Sequence, residues 1–103
     1  MRLVEENEYD EVVSKNNNLI VQLSADWCGP CRVLTPVLES VAGERGIEVV
    51  KVNIDNNPSI VAKYSVRSIP RVLFIKDGEV VSDITGNQGK QKLEEVCSKV
   101  YEC

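Results

Sequence analysis

Two cysteines three positions apart, Cys28 and Cys31, enclose Gly29-Pro30 and follow Trp27, and no other run in the chain is better placed to do chemistry. Two thiols at this spacing can share a disulfide when the first sits at a helix N-terminus and the second lies one turn in. The positive end of the helix and its unpaired amides favour a thiolate on the first sulfur. Cys28 would then attack a substrate disulfide, and Cys31, more buried behind it, would resolve the mixed disulfide. Gly29 and Pro30 restrict the turn between them. A Cys28–Cys31 bridge closes too small a loop to stabilise the fold through chain entropy, so its value is redox chemistry. The competing use of such a pair is half of a zinc site. A structural zinc takes four ligands, the sequence has no histidine, and Cys97 and Cys103 have five residues between them, an unusual spacing for a zinc pair. No metal and no other cofactor is expected.

The elements that must position this pair follow from periodicity. Tyr9, Val12 and Val13 fall on one face of a helix over Glu5–Lys15, ended by Asn16-Asn17-Asn18. Leu19-Ile20-Val21-Gln22-Leu23 reads as a buried strand broken by one polar residue. Leu34, Val37, Leu38 and Val41 mark a helix running to about Gly43–Gly46, with Pro36 inside it, where a kink is expected. Ile47–Ile54 is β-branched and reads as a strand; Asn57-Pro58 resembles a cap and a first helical position for a short helix through Tyr64. Arg71–Ile75 and Glu79–Ile84, joined by Lys76-Asp77-Gly78, form a hairpin. A last helix carries Leu93, Val96, Cys97, Val100 and Tyr101 on one face. The order (β)αβαβαββα predicts an α/β chain with a mixed sheet covered on both faces.

Composition narrows the role. The 103 residues leave room for one domain, and 43% hydrophobic with 27% charged is the balance of a globular protein. A net charge of −4 with no basic block argues against nucleic-acid binding. Val72-Leu73-Phe74-Ile75 is far too short to cross a bilayer, and Met1–Glu6 turns acidic before an apolar leader could grow, so no membrane association and a cytoplasmic location are expected.

The run Ala25-Asp26-Trp27-Cys28-Gly29-Pro30-Cys31-Arg32, followed by Pro36, resembles the active-site signature of the thioredoxin family. The likeness extends through Lys51-Val52-Asn53-Ile54-Asp55, Arg67-Ser68-Ile69-Pro70, Lys76-Asp77-Gly78 and Gly86, nearly the whole chain in order and spacing. The resemblance implies the thioredoxin fold as a single domain over residues 1–103, with a central mixed β-sheet flanked by helices on both faces. It implies reduction of disulfide-containing protein substrates with electrons from a thioredoxin reductase. It also implies a cis Ile69–Pro70 bond beside the cysteines, where the Ile69 backbone pairs with a bound substrate strand. Without the resemblance Pro70 would read as a strand-edge residue, since only about 5% of X–Pro bonds in folded proteins are cis.

Several residues depart from the family pattern. Gln22 occupies the strand position where the family usually has a buried aspartate beneath the sulfurs; Asp26, at the turn beside Trp27, is not that residue and should be exposed. A glutamine amide donates and accepts hydrogen bonds but takes up no proton near neutral pH. One reading is that Gln22 slows resolution by Cys31 and eases formation of the Cys28 thiolate, each pKa unit being worth about 1.4 kcal/mol; the other is that it satisfies a neighbouring polar group. Arg71, after Pro70, and Arg32 are either solvated charges or cations on the rim of the substrate groove that favour acidic segments. Lys51, where the family has a lysine near the buried acid, either pairs elsewhere or supports the thiolate. Trp27 is expected to shield the sulfur and to shape the groove with Gly29, Pro30, Ile69 and Pro70. Cys97 reads as a small buried hydrophobe. Cys103 should be exposed, either inert or able to link an otherwise monomeric chain into a dimer under oxidation. Two rival functions stay open: an oxidase or isomerase of exported proteins, separable by reduction potential, and a binding module of the same fold with an incidental redox site, separable by cysteine-to-serine substitution.

Overall fold

The computed structural model describes residues 1–101. They form β1 (Arg2–Leu3), α1 (Glu6–Lys15), β2 (Asn18–Ser24), α2 (Gly29–Glu44), β3 (Glu48–Asn53), a 3₁₀ turn (Ile54–Asn56), α3 (Pro58–Lys63), β4 (Arg71–Lys76), β5 (Glu79–Thr85) and α4 (Lys90–Tyr101). The strands build one mixed sheet in the order β1-β3-β2-β4-β5. β1 and β2 run parallel to β3, whereas β4 is antiparallel to both β2 and β5. This is the α/β architecture expected from the sequence.

Central β2 is buried from Leu19 to Ser24, so alternation decides only which core each side chain enters. Ile20, Val72, Phe74 and Ile84 meet Leu34, Leu38 and Val41 of α2 and Leu93, Val96, Cys97 and Val100 of α4. Leu19, Val21, Leu23, Val50, Leu73 and Ile75 face Tyr9 and Val12 of α1 and Ile60 of α3. Gln22, two residues from Ile20, therefore lies on the α2 side. Cys97 is fully buried in that core, as its helical stripe suggested. Cys103 lies outside the described residues.

The β4–β5 hairpin turns on Asp77 (φ 51) and Gly78 (φ 86), the left-handed pair that matches strand twist in a two-residue turn. Several bounds shift by one residue from the sequence reading, whereas α3 starts at Pro58 after Asn57 as read. β3 ends at Asn53, and Ile54 enters the 3₁₀ turn. Asn57 precedes α3 without a side-chain cap bond. Its amide instead accepts from the Glu6 N–H at 2.6 Å and donates to Glu5 Oε2 at 3.0 Å and to the Asn53 carbonyl at 2.7 Å. Glu6 supplies the missing cap from another helix, accepting from the Ser59 N–H at 2.9 Å. Long-range partners displaced the local cap because Asn57 is fully buried and each backbone group around it needed a partner.

Candidate active site at the start of α2

Cys28 is the N-cap of α2, with an extended backbone (φ −88, ψ 106). Its N–H donates to the Ala25 carbonyl at 3.2 Å, and its carbonyl accepts from the Arg32 N–H at 3.3 Å. Pro30 stands in the first turn, where its missing N–H removes a donor that would have no helical partner anyway. The Cys28 sulfur accepts from the Cys31 N–H at 3.2 Å. The sulfur thus occupies the position where the unpaired amides and the positive end of the helix dipole act together, which favours its thiolate once the bridge is reduced. Cys28 and Cys31 are joined in a disulfide, their Cα atoms 5.3 Å apart. Cys28 is 4% exposed and Cys31 fully buried.

The surroundings come from four separate stretches of chain. Ala25 packs with both cysteines, and Ile54 and Ile69 close over them. The Ile69–Pro70 bond is cis. The Pro70 carbonyl accepts from the Gly86 N–H at 2.7 Å, and Gly86 sits at φ 85 with open space where a Cβ would stand, so backbone conformation rather than crowding calls for glycine there. Trp27 is 67% exposed, and its indole N–H donates to Asp55 Oδ2 at 3.0 Å. That bond fixes a broad apolar face beside the disulfide. Gly29 is half-buried, and Pro30, Arg32 and Asp26 are exposed.

Gln22 is fully buried. Its Nε2 donates to the Cys31 carbonyl at 3.1 Å, and its Oε1 accepts from the Thr35 hydroxyl at 2.9 Å. It meets the backbone of Cys31 and a neighbouring hydroxyl, so it satisfies polar groups nearby, as the second reading of this residue held. Lys51 is the register partner of Gln22. It is half-buried and lines a cavity of about 270 Å³ with Ser24, Asp26, Asn53 and Asn56; among the described residues it forms no ion pair.

Arg71 is held more closely than a solvated surface charge would be. Its guanidinium donates to the Tyr64 carbonyl and to Asp83 Oδ2, the latter at 2.6 Å, with the side chain only 19% exposed. It is thus a paired and largely covered charge rather than a freely solvated one. The cause is the register, which sets Arg71 opposite Thr85 and so makes Asp83, two positions along β5, its diagonal neighbour on the same face.

Sequence reasoning missed Thr35 and Asp55. Thr35 had a local signal, since a threonine four residues after a helical carbonyl can bond back to it, and its hydroxyl lies 3.0 Å from the Cys31 carbonyl. Asp55 had none, being joined to Trp27 across 28 positions.

The family model for thioredoxin matches residues 1–99. The chain belongs to the thioredoxin family. Thioredoxin of Staphylococcus epidermidis is 41% identical over 98 residues, covering 93% of each chain. Thioredoxin of Porphyra purpurea is 42% identical over 91 residues, 86% of this chain and 85% of that protein. Among solved structures, a mutant thioredoxin from Halobacterium salinarum NRC-1 superposes with a TM-score of 0.88 at 31% identity, covering 99% of this chain and 93% of that one. Fasciola hepatica thioredoxin gives 0.86 at 34%, covering 97% and 99%. Membership and the close cysteine pair together make this chain a thiol–disulfide oxidoreductase that reduces disulfides by dithiol exchange. No helix among the described residues is long and apolar enough to cross a membrane.

Proposed function

We propose that the chain acts as a single-domain, monomeric, cytoplasmic electron carrier, in which Cys28 is the nucleophile and Cys31 the resolving thiol, re-reduced by a thioredoxin reductase. The observation that carries this reading is the position of Cys28 as the cap of α2, its sulfur receiving the Cys31 N–H. The Cys28 thiolate attacks one sulfur of a substrate disulfide, and the other sulfur departs as a thiol after taking a proton. Cys31 then attacks Cys28, the second substrate sulfur leaves, and the Cys28–Cys31 bridge forms. Two electrons and two protons pass to the substrate, and the protein needs a two-electron donor to restart. Trp27, Gly29, Pro30 and the cis Ile69–Pro70 segment shape the surface a substrate meets, with the Ile69 backbone available to an extended strand. Lys51, which forms no ion pair among the described residues, supports the Cys28 thiolate with its charge.

The test is reduction of insulin disulfides with a thioredoxin reductase and, separately, glutathione as donor. Turnover with the reductase and little with glutathione is expected. Cys28→Ser should lower the rate by at least about a thousandfold, and Cys31→Ser should accumulate the mixed disulfide. Full activity of Cys28→Ser would overturn the assignment.

A further inference from the structure

The peptide of Cys31 is held at both ends. Its N–H points at the Cys28 sulfur at 3.2 Å, the atom Cys31 must attack. Its carbonyl faces the Gln22 amide at 3.1 Å and the Thr35 hydroxyl at 3.0 Å, while that hydroxyl lies 2.9 Å from Gln22 Oε1. The donors can be assigned from chemistry. A carbonyl only accepts, so the amide nitrogen of Gln22 must face Cys31, which turns the amide oxygen toward Thr35. Thr35 has one proton and two acceptors in reach. The Cys31 carbonyl is already supplied by Gln22, whereas the fully buried Gln22 Oε1 would otherwise lack a donor. The proton therefore goes to Gln22, and the chain of bonds runs Thr35 Oγ1–H to Gln22 Oε1, then Gln22 Nε2–H to the Cys31 carbonyl.

We propose that Thr35 is a positioning residue for the resolving step: by orienting the Gln22 amide it locks the Cys31 carbonyl and keeps the Cys31 sulfur directed at Cys28. The inference rests on the proposed roles of Cys28 and Cys31. In the step it serves, the Cys31–Cys28 sulfur bond forms as the bond from Cys28 to the substrate sulfur breaks. The electron pair leaves with that substrate sulfur, and the Cys31 proton ends on it, so the exchange balances without a further reactant. The lock carries no charge. Its contribution is orientation, to which intramolecular exchange is steeply sensitive.

The two half-steps separate in a single turnover with 5,5′-dithiobis(2-nitrobenzoate). Attack by the reduced protein releases one coloured thiolate, and resolution by Cys31 releases the second. In Thr35→Val the first release should keep its wild-type rate and the second should slow by about tenfold, a modest part of what misplacement can cost. Thr35→Ser, which keeps the hydroxyl, should restore it, and Thr35→Ala provides a second deletion should valine disturb the helix. In a Gln22→Leu background, Thr35→Val should add no further loss. A wild-type second release in both deletions, equal slowing of both releases, or a serine variant as slow as valine would overturn the proposal. A wild-type protein that releases neither thiolate would instead sink the reading on which it rests.

Discussion

The two faces of the sheet each hold one fully buried amide, and they use it differently. On the α2 side, Gln22 bonds to the backbone of Cys31 and to a hydroxyl one helical turn beyond it. On the α1 and α3 side, Asn57 reaches Glu5, Glu6 and Asn53, partners up to 52 positions away. Asn57 braces the fold: it ties the start of α1 to the 3₁₀ turn and the start of α3. Gln22 acts within a few ångströms of the chemistry and joins little else. A buried polar group must be satisfied wherever it lies; what it contributes depends on whose backbone it holds.

The contrast is sharpened first by removing Asn57. Asn57→Ala should leave the Glu6 N–H and the Asn53 carbonyl without this partner and cost about 3 kcal/mol, lowering the thermal midpoint by roughly 10 °C or more. The rate of disulfide exchange at 25 °C should be unchanged. A melting curve superposable on that of the wild type would remove Asn57 as the brace.

A smaller effect on stability and a larger one on chemistry are expected for Gln22→Asp. The shorter side chain cannot span both partners, and it introduces a carboxyl that burial pushes toward its neutral form. Where that carboxyl does ionise, its charge disfavours the Cys28 thiolate, so the Cys28 titration, followed by thiolate absorbance, should move upward and the pH profile of turnover should change. If both stay as in the wild type, Gln22 is a space-filling amide and the distinction between the two faces fails.

The smallest effect belongs to Glu6, on the Asn57 side. The hydroxyl and N–H of Ser59 hold its carboxyl below the usual carboxylate range. Because its pKa is lower in the folded state, its stabilisation is present above the unfolded value and is lost as pH falls through the folded one. Glu6→Gln should therefore lower the thermal midpoint slightly near neutrality, converge with the wild type in acid below the folded value, and so flatten the acid limb. An unchanged acid limb would show that the cap across α1 and α3 adds nothing measurable.

Much of this was legible in the residues. Leu34, Val37, Leu38 and Val41 placed α2, Asp77-Gly78 placed the hairpin, and the stripe from Leu93 to Val100 placed α4, because local periodicity and turn preference suffice for each. The site was half legible. The Cys28–Cys31 spacing on a helix start is a local fact, and so is the four-residue spacing of Thr35 from Cys31, although the structure turns that hydroxyl to Gln22. The Arg71–Asp83 ion pair was not legible because strand register sets that partner. Asn57-Pro58 was read correctly as the start of α3, but the partners of the Asn57 amide were not legible, because a buried amide answers to groups from distant stretches, here the Glu6 N–H, the Glu5 carboxylate and the Asn53 carbonyl.

The sequence by itself determined the reaction: two thiols one helical turn apart, the first at a dipole's positive end, favour thiolate exchange in whatever sheet carries them. Only the tertiary structure decided how the second thiol is held. β2 had to lie against α2 in one register before the Gln22 amide could meet the Cys31 carbonyl. The cis Ile69–Pro70 segment had to fold back before Ile69 could close over the sulfurs. Hydrogen bonds act over about 3 Å, and no local rule brings residues so far apart in sequence to that distance.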